Sequence, residues 1–159
     1  MNNNGRKLKE NLLGYQAGKL QSLMTEMVEC CQDKNLYETQ KFGIPFAEIN
    51  CLMLFKGERY LTVKNIAEKL DVAKSRVTRL VENLITKGFL ESIHDPKDGR
   101  IKLVSTTQKG KNKLEAIDAF HRNIHKKIMG QFELDERKNV LSFLERLRSA
   151  MEAVKETFV

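Results

Sequence analysis

Two short stretches of helical periodicity, joined by a tight turn at Asp71-Val72, constrain the fold of this chain more than any other feature. Thr62 is suited to cap the first helix, and Ala67 places a small residue on its packing face, where a larger one would push the two helices apart. The second helix is predicted to stop at Gly88, a residue type common at helix C-termini. The pattern predicts a helix-turn-helix over about residues 62–87.

The residues after Gly88 lose the helical period and indicate a β-hairpin. Leu90–His94 and Arg100–Ser105 are strand-like runs, and the segment between them contains Pro96 and Gly99, which both favour turns. A hairpin that directly follows a helix-turn-helix is the wing of a winged helix. We therefore expect a wing over about residues 89–105.

The two ends of the chain carry the pattern of long helices that pack along other helices. Apolar residues alternate at spacings of four and three in the first segment (Leu13, Ala17, Leu20, Met24, Met27, Cys31) and in the last (Val140, Leu144, Leu147, Met151, Val154, Phe158). The first helix is predicted over about Lys7 to Asp33, and a further long helix over about Lys109 to Phe132. Asp135 is a suitable N-cap for the last helix.

The predicted fold is mainly α: a winged helix-turn-helix with a small β-hairpin wing, plus long terminal helices. We expect residues 1–44 to form an N-terminal dimerisation helix and linker, 45–113 the winged-helix region, and 114–159 the C-terminal dimerisation helices. The long helices have two interpretations, an internal three-helix core or interdigitation with a second copy. A symmetric homodimer, the commonest assembly of this kind, is favoured.

The positive charge of the chain is concentrated in the winged-helix region. The net charge is +7, and the segment from Lys56 to Lys113 holds 14 basic and 7 acidic residues, so the remainder is neutral. This clustering is typical of a module that binds nucleic acid.

The sequence gives no sign of a membrane or secreted protein. The longest apolar run, Cys51 to Phe55, is far shorter than the roughly twenty residues that cross a bilayer. Three cysteines without C-x-x-C spacing fit reduced thiols, so we expect a cytoplasmic protein with no membrane partner and no cofactor.

Several motifs together resemble the MarR family of bacterial winged-helix transcriptional regulators. They are LTVKNIAEKLDVAKSRVTRLVENL (61–84), KGFLE (87–91), DPKDGR (95–100) and VSTTQKG (104–110). The resemblance covers nearly the whole chain and implies a homodimer that binds a palindromic double-stranded DNA operator. It further implies repression of its own and neighbouring genes, with release by a small molecule, an oxidant or a metal. Asp71 stands where the family often has glycine, and Ala73 where it often has a capping serine.

The candidate DNA contacts lie on the second helix and the wing. The N-terminal part of a recognition helix meets base edges in the major groove, which selects Lys74, Ser75, Arg76, Thr78 and Arg79. Arg76 and Arg79 are the candidates for reading sequence, because arginine can donate two hydrogen bonds to guanine. The wing adds the basic residues Lys97 and Lys102. The resemblance implies that Arg100 enters the minor groove and that Asp98 orients it.

Other residues could bind or sense a regulatory signal, namely a small molecule, a metal or an oxidant, but the sequence does not decide among these. An effector pocket could be lined by Tyr15, Phe42, Phe46, Met53 and Phe55, which could equally be ordinary core. His121 and His125 are spaced to share a metal, with Cys30 as a third candidate ligand, although no metal site is predicted. Cys30, Cys31 and Cys51 are better read as small core residues than as redox sensors, because a buried thiol is inert.

An enzyme is not expected, because the chain has no Gly-rich phosphate loop and no nucleophile motif. The remaining alternatives are a metal- or redox-responsive regulator of the same fold and a winged-helix module that binds another protein.

Overall fold

A computed structural model of the chain describes residues 3–94 and 102–158, with side chains from residue 5 onward. Its elements are α1 (Asn3–Phe42), α2 (Phe46–Met53), β1 (Leu61–Thr62), α3 (Val63–Leu70), α4 (Lys74–Thr86), β2 (Leu90–His94), β3 (Lys102–Thr106), α5 (Gln108–Met129), α6 (Leu134–Lys155) and a 3-10 turn (Glu156–Phe158). They fall into two compact units, Met1–Lys111 and Asn112–Val159.

The first helix is longer than predicted. It runs to Phe42 instead of ending near Asp33, so most of the expected linker is helical. No Pro or Gly interrupts the segment after Asp33, and the helix ends where Gly43 takes a left-handed conformation with φ +68° and Pro45 follows.

The helix-turn-helix forms as predicted, and local side chains define its boundaries. The Thr62 hydroxyl accepts a hydrogen bond from the backbone N–H of Asn65 at 3.1 Å, and the Asn65 side chain accepts one from Thr62 N–H at 3.3 Å. This reciprocal capping box begins α3. Asp71 ends it in the left-handed region, with φ 52° and ψ 48°. Ala73 supplies no side-chain hydrogen bond to the start of α4.

The wing belongs to a three-stranded antiparallel sheet in the order β1-β3-β2. Leu61 pairs with Val104, and Leu90 pairs with Thr106. Both predicted wing strands are present, although β3 begins at Lys102 and the start of its predicted run lies outside the described residues. The strand β1 was not predicted, since two residues are too few to show alternation.

The core of this unit lies between the sheet and helices α2, α3 and α4, which contact one another. Its fully buried side chains include Ile49, Leu52, Ile66, Val77, Leu84, Leu90 and Val104. The apolar face of α4 is therefore buried in this core, which fixes the position of the helix.

The start of α5 is fitted closely to the chain that follows α4. Gly110 lies against the backbone of Phe89, where an added Cβ would come within 1.9 Å of the Phe89 carbonyl oxygen. The Thr107 hydroxyl donates to the Gly88 carbonyl at 2.6 Å and accepts from Gly110 N–H at 3.0 Å. Only glycine fits at position 110 without a backbone shift.

The C-terminal unit contains the greater part of α5 and all of α6. Helix α6 is capped by Glu133 and not by Asp135, which lies in its first turn. Glu133 and Glu136 form the capping box, with Glu133 N–H donating to Glu136 Oε2 at 2.8 Å. The predicted cap was wrong because the helix begins earlier, at Leu134.

Candidate nucleic-acid interface

Helix α4 presents its predicted recognition residues to solvent. Lys74, Ser75, Arg76, Thr78 and Arg79 are all exposed. Between them Val77 is fully buried and begins an inner face that continues through Val81 and Leu84. The arrangement predicted from helical periodicity is thus present, with polar residues outward and branched apolar residues inward.

The basic residues of this surface are available for a ligand. Within the described part of the chain, Lys74, Arg76 and Arg79 make no ion pair with an acidic side chain. The Thr78 hydroxyl donates to the Lys74 carbonyl at 3.0 Å, and its oxygen can still accept a hydrogen bond. The surface therefore combines unpaired cations with hydroxyl groups, a composition suited to phosphates and base edges.

The wing residues divide into one that is described and three that are not. Lys102 is exposed at the start of β3, opposite His94 of β2. Lys97, Asp98 and Arg100 lie outside the described residues, so their roles remain predictions.

Sequence reasoning missed a buried ion pair behind the recognition helix. Glu48 of α2 is 2% exposed, and its Oε2 accepts a hydrogen bond from Lys87 Nζ at 2.5 Å. Its Oε1 accepts one from Asn83 Nδ2 at 3.4 Å. The one available signal was a carboxylate inside a short helix whose other residues, apart from Asn50, are apolar.

The residues proposed to line an effector pocket differ in their surroundings. Phe55 is buried in the core at 3% exposure, and Phe42, Phe46 and Met53 are half-buried. Tyr15 is 72% exposed on α1. Their common role in binding a ligand stays a prediction.

The metal candidates do not form a recognisable centre. His121 is half-buried, while His125 and Cys30 are exposed, and His125 Nδ1 donates to the His121 carbonyl at 2.7 Å. Across residues 3–94 and 102–158, no three His, Cys, Asp or Glu side chains are grouped so that they could hold a metal ion.

The three cysteines differ in exposure. Cys51 is fully buried, and burial together with the nearby negative charge of Glu48 raises its thiol pKa to about 12. Cys30 and Cys31 are exposed, so their interpretation as core residues is wrong for the single chain. Periodicity placed Cys31 on an apolar stripe, but this chain does not cover that stripe.

No helix in the described ranges has the length and apolar character required to cross a bilayer.

Comparison with known proteins agrees with this geometry. A family model described as the MarR family matches residues 42–101. The chain is 26% identical over 152 residues to the HTH-type transcriptional regulator YfiV of Bacillus subtilis, covering 94% of this chain and 93% of that protein. It is also 26% identical over 133 residues to the HTH-type transcriptional repressor MdtR of the same organism, covering 84% and 86%.

Solved structures share the fold. The YusO protein from Bacillus subtilis superposes with a TM-score of 0.72 at 24% identity, covering 85% of this chain and 96% of that one. Streptococcus pneumoniae FabT in complex with DNA superposes with a TM-score of 0.74 at 20% identity, covering 85% and 99%. These likenesses show the winged-helix fold. Together with the sequence matches, they identify residues 42–101 as a winged helix-turn-helix region of the type found in the MarR family of transcriptional regulators.

Proposed function

We propose that this protein is a homodimeric, sequence-specific DNA-binding repressor that acts on its own and neighbouring genes in the cytoplasm. The observation that carries the proposal is the row of exposed basic residues on α4, which form no ion pair among the described residues and stand on a helix with a buried inner face. A helix held in this way can enter the major groove without first having to fold.

Arg76 and Arg79 are assigned the reading of bases. Each guanidinium can donate two hydrogen bonds to O6 and N7 of a guanine, a geometry that a lysine ammonium cannot reproduce. Lys74 and Lys102 are assigned to phosphates, where charge matters more than direction. Arg100 is assigned to the minor groove, with Asp98 holding its guanidinium.

The homodimer is supported by apolar side chains that the single chain leaves exposed. On α1 they include Leu12, Leu13, Leu20, Leu23 and Met27, and on α6 they include Leu141, Phe143, Leu144, Met151 and Val154. A second copy is the occupant that presents matching stripes, since a symmetric interface pairs a surface with itself. Two recognition helices would then meet half-sites about 34–36 Å apart on a palindromic operator.

Repression is supported by the name of MdtR, a transcriptional repressor. The regulatory input is proposed to be a small molecule that binds differently to the DNA-bound and free states. A metal or an oxidant acting on the same fold is the alternative. For an oxidant, the exposed Cys30 and Cys31 are the available thiols.

The direct test is to select fragments from a bacterial genomic library on the purified protein near physiological salt and to sequence them. The proposal predicts an enriched inverted repeat. Binding to that repeat should weaken steeply as salt rises, because phosphate contacts release counterions. A winged helix used for protein contact would enrich no sequence and show no such dependence, which would refute the proposal.

Variants of Arg79 separate base reading from charge. Arg79→Ala should cost about 1–3 kcal/mol and relax preference at one base position. Arg79→Lys should relax the same preference while keeping the salt dependence, because the charge remains. Lys138→Ala removes an exposed cation of α6 and is the control that should change neither. A uniform loss across all sequences would instead make Arg79 a phosphate contact.

A further inference from the structure

The C-terminal end of α4 is held by a single buried carboxylate. The Glu48 side chain is 3% exposed, and its two oxygens accept hydrogen bonds from Lys87 and Asn83. Asn83 and Lys87 lie one helical turn apart, so Glu48 bridges two adjacent positions on one face of the helix end. The contact with Lys87 joins α2 to the residue that directly follows α4, and the two residues are far apart in the sequence.

Lys87 is also held from a second direction. Its backbone carbonyl accepts a hydrogen bond from Lys109 Nζ at 2.8 Å. The same ammonium lies 4.9 Å from the centroid of the Phe89 ring, a cation–π distance. The end of α4 is therefore connected to α2 through a side chain and to the first turn of α5 through the backbone.

We propose that Glu48 is a positioning residue for sequence reading, which sets the rotation and tilt at which α4 presents Arg76 and Arg79. The proposal rests on the DNA-binding function proposed above. It assigns Glu48 no contact with DNA.

Two kinds of contact hold α4 in place. Apolar packing through Val77, Val81 and Leu84 is non-directional, so it tolerates a small rotation of the helix. The hydrogen bonds to a buried carboxylate are directional, and losing one leaves a charge without a partner. An orientation of α4 that keeps both hydrogen bonds is therefore lower in free energy than a slightly rotated one that loses either of them.

A rotation of α4 near Lys87 would also displace Arg79, which lies further along the same helix. Arg79 lies about 12 Å along the helix axis from Lys87, at a rise of about 1.5 Å per residue. A helix this short behaves as a rigid rod, so a rotation at its C-terminal end is transmitted in full to Arg79. Paired hydrogen bonds to a guanine edge do not survive a displacement of about 1 Å, whereas phosphate contacts adapt.

The test measures discrimination as well as affinity. Glu48→Gln keeps the shape of the side chain but replaces one of its two acceptor oxygens with an N–H₂ group, so the side chain can accept from Lys87 or from Asn83 but not from both. Dissociation constants are measured for a 30-bp duplex of the enriched repeat and for a scrambled duplex, at a temperature where circular dichroism shows full folding. Discrimination is the dissociation constant for the scrambled duplex divided by that for the repeat. This ratio should fall about tenfold or more, within the range that one or two lost base contacts produce. Affinity for the scrambled duplex should be unchanged, because the exposed cations of α4 remain.

A merely structural role gives a different result. It would lower the folded fraction and weaken binding to both duplexes by the same factor, leaving the ratio as in the wild type. Asp118→Asn is the matched control: Asp118 is a buried carboxylate that pairs with Arg122 of the same helix, α5, and it belongs to neither α2 nor α4. Its variant should keep the wild-type ratio.

A second variant keeps the proposal open to refutation if Glu48→Gln unfolds. The double variant Glu48→Leu with Lys87→Met removes both charges and retains the side-chain volume, so it should fold yet lose discrimination. Wild-type discrimination in either folded variant would overturn the inference alone. A wild-type protein that binds both duplexes equally would overturn the proposed function, and the inference with it.

Discussion

Substitution of Gly110 by alanine tests whether the junction between the wing and α5 is as tight as the structure shows. An added Cβ would lie 1.9 Å from the Phe89 carbonyl oxygen and 2.9 Å from its carbonyl carbon. Ordinary contacts at such atoms begin near 3.4 Å, so the backbone of α5 or of Phe89 must move by more than 1 Å. Because Phe89 O also accepts from Thr107 N–H at 3.1 Å, that movement strains the hydrogen bonds that begin α5.

The expected loss follows from three contributions of different sign. Overpacking a fitted site costs about 1–3 kcal/mol, and each weakened hydrogen bond about 1 kcal/mol. Alanine in a helix returns about 1 kcal/mol relative to glycine. The net effect should be a loss of about 2 kcal/mol in the free energy of unfolding. For a chain of this size it corresponds to a melting temperature lower by about 4–8 °C.

The assay is thermal unfolding followed by circular dichroism at one fixed protein concentration, since assembly makes the melting temperature depend on concentration. Gly18→Ala is the matched control, because Gly18 is also helical and a Cβ there meets no atom within 4 Å. It should gain about 0.5–1 kcal/mol from helix propensity alone. If Gly110→Ala melts at or above the temperature of Gly18→Ala, the steric reasoning is refuted.

Three further predictions concern the cap, the buried thiol and the dimer. Thr62→Ala removes the capping box of α3 and should lower the free energy of unfolding in urea by about 0.5–2 kcal/mol, with no change in the denaturant slope. Burial raises the pKa of the Cys51 thiol from 9.0 to about 12, so little of it is ionised at pH 8. In a variant that carries Cys30→Ser and Cys31→Ser, Cys51 should therefore react with a disulfide reagent roughly a thousandfold more slowly in the folded chain than in the unfolded chain. Equal rates would contradict the burial of Cys51. Leu144→Glu places a charge on the apolar stripe of α6 and should yield monomers in sedimentation at micromolar concentration. The control Asn139→Glu, which lies off that stripe, should remain dimeric. If both variants are dimers, the stripe is not part of the interface.

The features that local chemistry determines were predictable from the sequence. The limits of the helix-turn-helix follow from Thr62, Asp71 and Gly88, each of which acts within a few residues of its own position. The inner face of α4 follows from the spacing of Val77, Val81 and Leu84. Such signals need no knowledge of what packs against them.

The features that depend on distant parts of the chain were not predictable. The pairing of Glu48 with Lys87 joins two elements across an intervening helix and turn, and no periodicity marks it. The two-residue strand β1 exists only because β3 returns beside it. Cys31 illustrates the same limit, because it is exposed although it lies on the apolar stripe of α1. Periodicity identifies such a stripe, but it does not show which molecule packs against it.

The exposed apolar stripe of α1 has a consequence for the amount of protein that a cell must hold. Up to Asp33, this 40-residue helix buries no side chain among those described within its own chain, and helices in water owe most of their stability to packing. If a second copy supplies that packing, folding of α1 and meeting of two chains become one reaction, whose equilibrium depends on concentration. If the protein represses its own gene, as proposed above, the concentration that it maintains determines the fraction of chains in which α1 is folded.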